Sequence, residues 1–307
     1  MEQFNFTSVN TNSSSVGLPT IPPWKSVGLA PVLVYTFCFL LGVPGNIAVI
    51  LLKPNCQNLS SVSQSLMLNL AVSDLLCLLT LPVWIYNVLY GWIFKLVACK
   101  LLAYLMYCSI YESLVTITAL SIQRYLVVVH RQRCNKVRRR VLLVLLWLVA
   151  IILSIPVLVV QQLKTYQQST RCQSQFNSET QWVVLLLVEN LFGLVSFSLV
   201  VFAYIRLHRK INRAAFFNHP RTTQLVTSII VSFFILWIPY HTVNVLGVAA
   251  IRLKNVHLLK FCTDQWDFVI SLTFVNSCLN PILYAFEPLQ QEERVPQTPD
   301  IATIADI

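Results

Sequence analysis

The chain has 307 residues, 56% of them hydrophobic and 11% charged, with a net charge of +10 and a mean hydropathy of +0.67. A soluble domain carries about 25% charged residues, so a soluble globular protein is excluded and a membrane protein is expected. The basic excess sits in short connections flanked by apolar runs, which excludes a nucleic-acid partner. The scarcity of glycine and the absence of an internal repeat disfavour a repeat-built transporter.

Residues 1–28 are polar and rich in Ser, Thr and Asn, with glycosylation sequons at Asn5-Phe6-Thr7 and Asn12-Ser13-Ser14. No basic stretch followed by an apolar core marks a cleavable signal peptide. Apolar runs of the roughly 20 residues needed to cross a bilayer then fall at 29–52, 64–89, 97–128, 140–161, 182–206, 222–250 and 264–286. Arg131, Arg133, Lys136, Arg138, Arg139 and Arg140 follow the third run, and Arg206, Arg209, Lys210, Arg213 and Arg221 follow the fifth. Basic connections stay cytosolic. An odd number of spans then puts the N-terminus outside and the C-terminus in the cytosol. Asn58-Leu59-Ser60 falls on the cytosolic side and is expected to be unmodified.

The cysteines sort by the same topology. Cys38, Cys77, Cys108 and Cys278 lie inside spans, Cys56 and Cys134 face a reducing compartment, and Cys99, Cys172 and Cys262 lie outside.

Polar groups inside spans are costly and mark function. Asp74 in the second run wants a partner or a cation. Glu112 in the third lies about 100° around the helix from Ser113 and is expected to face a neighbouring span. The third run ends in Gln123-Arg124-Tyr125. The sixth holds Phe233 and Trp237-Ile238-Pro239-Tyr240-His241-Thr242-Val243-Asn244, with a proline to kink the helix. The seventh ends in Asn276-Ser277-Cys278-Leu279-Asn280-Pro281-Ile282-Leu283-Tyr284. No nucleophile, base and metal set supports an enzyme. No lysine lies between Phe261 and Phe286, which excludes a retinal Schiff base.

These residues, with Trp147 in the fourth run, resemble the rhodopsin-like G-protein-coupled receptors over residues 29–286. The resemblance implies an all-α bundle of seven transmembrane helices in the plasma membrane, coupled to a heterotrimeric G protein of the inhibitory type. It pairs Cys99 with Cys172 in a disulfide. It groups Asn46, Asp74, Ser113, Asn276 and Asn280 as a sodium pocket, with Asp74 the metal-binding acid; no other cofactor is expected. It makes Arg124, Tyr125, Pro281 and Tyr284 the coupling residues, and Phe233, Trp237 and Pro239 a switch beneath the ligand. Gln123 stands where the family carries an acid. A receptor of the same fold that binds without signalling is therefore an alternative.

Within the family, Trp237-Ile238-Pro239-Tyr240-His241, Asn244, and Glu189 with Gly193 are similar to the leukotriene B4 receptors of the chemoattractant branch. Ala103 and Gln161 replace a His and an Arg of those receptors, and Ser196 or Phe197 replaces the usual proline of the fifth span. Met106 stands where amine receptors carry an Asp. The outer rim is basic: Lys95, Lys100, Lys164, Arg171, Arg252, Lys254 and Lys260 outnumber Glu179, Asp264 and Asp267, a field that attracts anions. Tyr104, Tyr107, Arg171, Glu189, Trp237, Tyr240, His241 and Asn244 are expected to bind the ligand. The expected ligand is a hydroxylated fatty acid of the leukotriene B4 type, acting in chemotaxis or inflammation; a chemoattractant peptide is the alternative. The basic connections are expected to attract anionic membrane lipids. Residues 287–307 lack the family's basic amphipathic helix and are expected to be a short disordered cytosolic tail.

Overall fold

The computed structural model describes residues 29–52, 61–130, 136–166, 169–213 and 220–292. The segment 1–28 with Asn5 and Asn12, and residues 293–307, lie outside them. In chain order the elements are α1 (Ala30–Leu52), α2 (Ser61–Leu78), α3 (Leu81–Tyr90), α4 (Leu96–His130), α5 (Lys136–Val160), β1 (Gln161–Tyr166), β2 (Ser169–Ser174), α6 (Glu179–Arg213), α7 (Pro220–Arg252) and α8 (Val256–Glu292).

Among the described residues six helical stretches are long and apolar enough to cross a membrane, α2 and α3 counting as one. The last helix, α8, packs against α7 and α1 and closes the bundle. The centre belongs to α4, which touches α2, α5, α6 and α7. Its apolar stretch is 61% buried, against 28% for α1 and for α5. The outer helices turn Leu33, Leu40, Leu51, Val144, Ile152 and Val159 outward. In a bilayer those side chains meet lipid tails as apolar as themselves, so they need no covering.

Three features depart from the sequence expectation. The second span is broken between α2 and α3. Pro82 has no N–H for the carbonyl of Leu78 and its ring crowds that carbonyl. Thr80 closes the end of α2 instead, its N and Oγ1 both donating to the carbonyl of Cys77, at 3.1 and 2.7 Å. The bend carries α3 toward α1 and β2.

The bundle is also not purely helical. β1 and β2 form an antiparallel hairpin in the register Gln161↔Ser174 to Tyr166↔Ser169. These strands carry Gln, Lys, Thr and Ser rather than an apolar alternation, so periodicity did not reveal them. Other contacts hold the hairpin. Cys172 is bonded to Cys99 at the head of α4, with Cα atoms 5.7 Å apart. Asn87 of α3 donates to the carbonyl of Cys172 at 3.4 Å and accepts from its N–H at 3.2 Å. Trp92 N donates to Thr170 O at 2.6 Å. Gly91 makes that approach possible: its φ is +91°, and a Cβ there would lie 2.9 Å from Thr170 O.

Finally, α8 continues past Phe286 to Glu292, so residues 287–292, expected as part of a disordered tail, are helical. Helix propagation adds one bond per residue once the helix exists, and Gln290, Gln291 and Glu292 are good helix formers.

Candidate functional site

A cavity of about 450 Å³ opens beneath the hairpin. Its walls are Tyr35 of α1, Trp84 and Asn87 of α3, Met106, Tyr107 and Tyr111 of α4, Glu189 of α6, Asn244 of α7 and Trp266 and Asp267 of α8. A smaller void lies against Tyr107, Tyr111 and Glu189 and is also lined by Trp237, Tyr240 and His241. With Leu153 and Pro156 of α5 and Gln161 and Cys172 of the hairpin, seven helices and the hairpin meet around one space, which no local sequence pattern describes.

The expected ligand residues divide accordingly. Tyr107, Glu189 and Asn244 line the cavity, and Trp237, Tyr240 and His241 line the void. Arg171 lies on β2, paired in register with Lys164. Tyr104 is a correction: it lines neither space, and its hydroxyl donates to the carbonyl of Ile151 in α5 at 3.3 Å. Ala103 and Met106 hold the cavity face of α4, and one residue beyond Ala103 is about 100° around the helix.

The polar groups are ordered. Tyr240 donates its hydroxyl to Glu189 Oε2 at 2.7 Å, and Tyr111 shares the wall of the void with this carboxyl. His241 is engaged through Nδ1 with Asn190 Oδ1 at 3.1 Å, while its Nε2 is buried without a partner. Its ring packs so closely on Gly193 that a Cβ there would overlap it. Asn244 is 1% exposed, and neither Oδ1 nor Nδ2 has a partner in the structure. Leaving such groups unsatisfied costs about 1–3 kcal/mol each, which a ligand bearing a donor and an acceptor would recover.

Beneath the void an aromatic stack continues along α7. Trp237 lies 5.5 Å from Phe233 and 5.9 Å from His241, ring to ring. Phe197 of α6 packs 5.4 Å from Phe233 and 5.1 Å from His241. Phe197 is one of the two residues, with Ser196, expected at the place of the missing fifth-span proline, and sequence alone did not mark it as part of the stack. Pro239 lies inside α7.

Deeper still, Asp74 accepts from Ser113 Oγ at 2.9 Å and from Asn280 Nδ2 at 2.7 Å. Asn46 instead donates to the carbonyls of Gly42 and Ser277, at 2.9 and 3.0 Å. The Oδ1 atoms of Asn46, Asn276 and Asn280 are buried without partners. One carboxylate with hydroxyl and amide oxygens suits a small hard cation. Among the described residues there is no cluster of three or more His, Cys, Asp or Glu to hold a transition metal.

Glu112 faces α2, as expected of a group turned toward a neighbouring span. It accepts from Asn69 and from Thr116 Oγ1, the latter at 2.7 Å. Asn69 in turn accepts from Trp147 Nε1 at 2.9 Å. Ser73 contacts Ser113 at 3.0 Å and donates to the carbonyl of Leu70 at 2.9 Å. Each buried acid thus belongs to a hydrogen-bonded set joining α2 and α4, and that of Glu112 extends to α5.

At the far end of α4, Gln123 Oε1 accepts from Ser63 at 2.6 Å. Tyr125 meets His130 Nε2 at 3.0 Å and packs against Phe202 of α6, 5.8 Å between rings. Pro281 lies in α8, buried against α1 at Gly45. The side chain of Tyr284 lies outside the described residues.

A family model described as 7 transmembrane receptor (rhodopsin family) matches residues 45–284. The chain is 32% identical over 266 residues to C-C chemokine receptor type 8 of Macaca mulatta, covering 82% of this chain and 74% of that protein. It is 30% identical over 285 residues to C-X-C chemokine receptor type 2 of Mus musculus, covering 88% and 79%. It is 31% identical over 274 residues to the C3a anaphylatoxin chemotactic receptor of Danio rerio, covering 85% and 73%.

Proposed function

Because the chain belongs to the rhodopsin family of seven-transmembrane receptors, a family of receptors rather than enzymes, we propose that it couples an extracellular chemoattractant bound beneath the hairpin to a heterotrimeric G protein of the inhibitory type. It is a multi-pass plasma-membrane receptor of the chemoattractant type. The observation that carries the ligand site is Asn244, fully buried on the cavity wall with both amide atoms unpartnered.

The ligand we favour is a peptide or small protein that inserts its tip. The relatives are named for chemokines and for an anaphylatoxin, and the cavity volume suits the end of a chain. A second candidate is a leukotriene B4-like hydroxylated fatty acid. It is supported by hydroxyl partners at Glu189, His241 and Asn244 beside apolar walls, with Arg171 of β2 assigned to its carboxylate.

The receptor works as a two-state bundle. A ligand shifts it only by binding the active packing more tightly. Trp237 and Phe233 move with the outer half of α7, and the ends near Arg124 and Tyr284 separate to admit the G protein. With the basic connections on the cytosolic side, the N-terminus is extracellular, and Asn5 and Asn12 carry glycans. A sodium ion held by Asp74, Ser113, Asn280 and the free oxygens of Asn46 and Asn276 stabilises the resting packing.

The test is a panel of chemoattractant peptides and hydroxylated fatty acids on cells expressing this chain, read by G-protein activation. A peptide response supports the favoured ligand, and a fatty-acid response replaces it with the second. Binding without activation makes the chain a non-signalling receptor.

A further inference from the structure

The charges around the cavity are of one sign. Glu189 and Asp267 line it, and no Lys, Arg or His does among the described residues. The basic residues that dominate the outer sequence stand elsewhere. Asp267 already feels the charge of Arg171. Glu189 instead receives the hydroxyl of Tyr240, which carries no charge. A carboxylate brought into this space would meet two acids, with no basic side chain among the lining residues.

The walls point the same way. Tyr35, Trp84, Tyr107 and Trp266 face the cavity, and aromatic faces attract cations, more strongly where water is excluded. The free Oδ1 of Asn244 is an acceptor waiting for an N–H. Acid, ring faces and amide oxygen form one acceptor-rich surface drawn from six different helices.

We infer that the ligand group entering the cavity is a cation, an ammonium or guanidinium, bound by Glu189 and Asn244 among aromatic rings. This rests on the cavity being the ligand site, and it specifies a ligand with a positive tip, leaving the basic rim to hold an acidic body. It opposes the depth order expected for a fatty acid, whose charged end is negative.

The experiment uses the purified full chain in lipid nanodiscs and three arylalkyl probes of one shape, ending in guanidinium, hydroxyl or carboxylate. Thermal unfolding is read with each probe. The inference expects the guanidinium probe alone to raise the midpoint by several degrees, an effect lost in Glu189→Gln, reduced in Asn244→Ala and retained in Asp74→Asn. Retention in Asp74→Asn separates the cavity from the deeper cation pocket. Stabilisation by the carboxylate probe, equal stabilisation by all three, no stabilisation by any, or a guanidinium effect that survives in Glu189→Gln overturns it. If Glu189→Gln is not recovered folded, Glu189→Asp replaces it, with at least a tenfold weaker guanidinium response expected and an unchanged response counting against. No G protein enters this readout, so a failure of coupling in cells is distinguishable from a failure of the cationic site.

Discussion

Ser63 donates a hydrogen bond to Gln123 Oε1 across 2.6 Å, so a neutral amide fixed by α2 stands immediately before Arg124. An acid at that position would attract Arg124 and hold the resting state; an amide holds it only as a dipole.

Gln123→Asp is therefore expected to lower ligand-free signalling by about fivefold, the equivalent of about 1 kcal/mol for a partly exposed ion pair. Arg124→Ala should keep ligand binding and abolish G-protein activation, because Arg124 lies at the far end of α4 from the cavity. Nucleotide exchange on the G protein measures both. Normal activation in Arg124→Ala would remove Arg124 from the coupling role.

The hairpin gives the second prediction. The Cys99–Cys172 bond closes a separation of 73 residues, a constraint worth about 4 kcal/mol by loop entropy. Cys99→Ser or Cys172→Ser should sharply cut surface expression or ligand affinity. Asn87→Ala should weaken affinity less, since it removes two hydrogen bonds to Cys172 but leaves the covalent link. Radioligand binding on intact cells distinguishes the three.

Asp74 gives the third. If sodium is held there, rising sodium concentration should weaken agonist binding, and Asp74→Asn should abolish that dependence. Agonist affinity indifferent to sodium in the parent receptor would leave Asp74 as a hydrogen-bonded structural acid, joined to Ser113 and Asn280 as the structure has them.

Asn244→Ala should weaken an agonist by about 1–3 kcal/mol, the worth of a buried hydrogen-bonding group left unpaired. Tyr104→Phe should leave affinity unchanged, because its hydroxyl is turned to Ile151. Competition binding with one agonist on both variants checks the pair. A loss of affinity in Tyr104→Phe would contradict the placement of that side chain.

Gly193→Ala should destabilise the receptor by about 1–3 kcal/mol. The new methyl would overlap the His241 ring, and that ring is fixed by Asn190 on one side and by Trp237 and Phe197 on others. A thermal midpoint equal to the parent's would show that the ring moves freely.

The sequence by itself determined the membrane class, the number and rough extent of the spans, and the family. Each depends on a local or composition-wide property: long apolar runs, and motifs such as Asn280-Pro281 or Trp237-Ile238-Pro239 that read along one helix. The disulfide was legible only through the resemblance, because spacing cannot pair three outer cysteines. Tertiary structure decided the rest. The α2–α3 break follows from Pro82 acting on Leu78, but its direction depends on packing against α1 and β2. The hairpin is held by Cys99, Asn87 and Trp92, residues remote from the strands themselves. Tyr104 and Tyr107 look equivalent in sequence, yet helix rotation sends one to α5 and the other to the cavity. The charge of the cavity was least legible of all. A count along the outer segments is basic, whereas the wall is acidic, because only the fold selects which few side chains from different helices face one enclosed space.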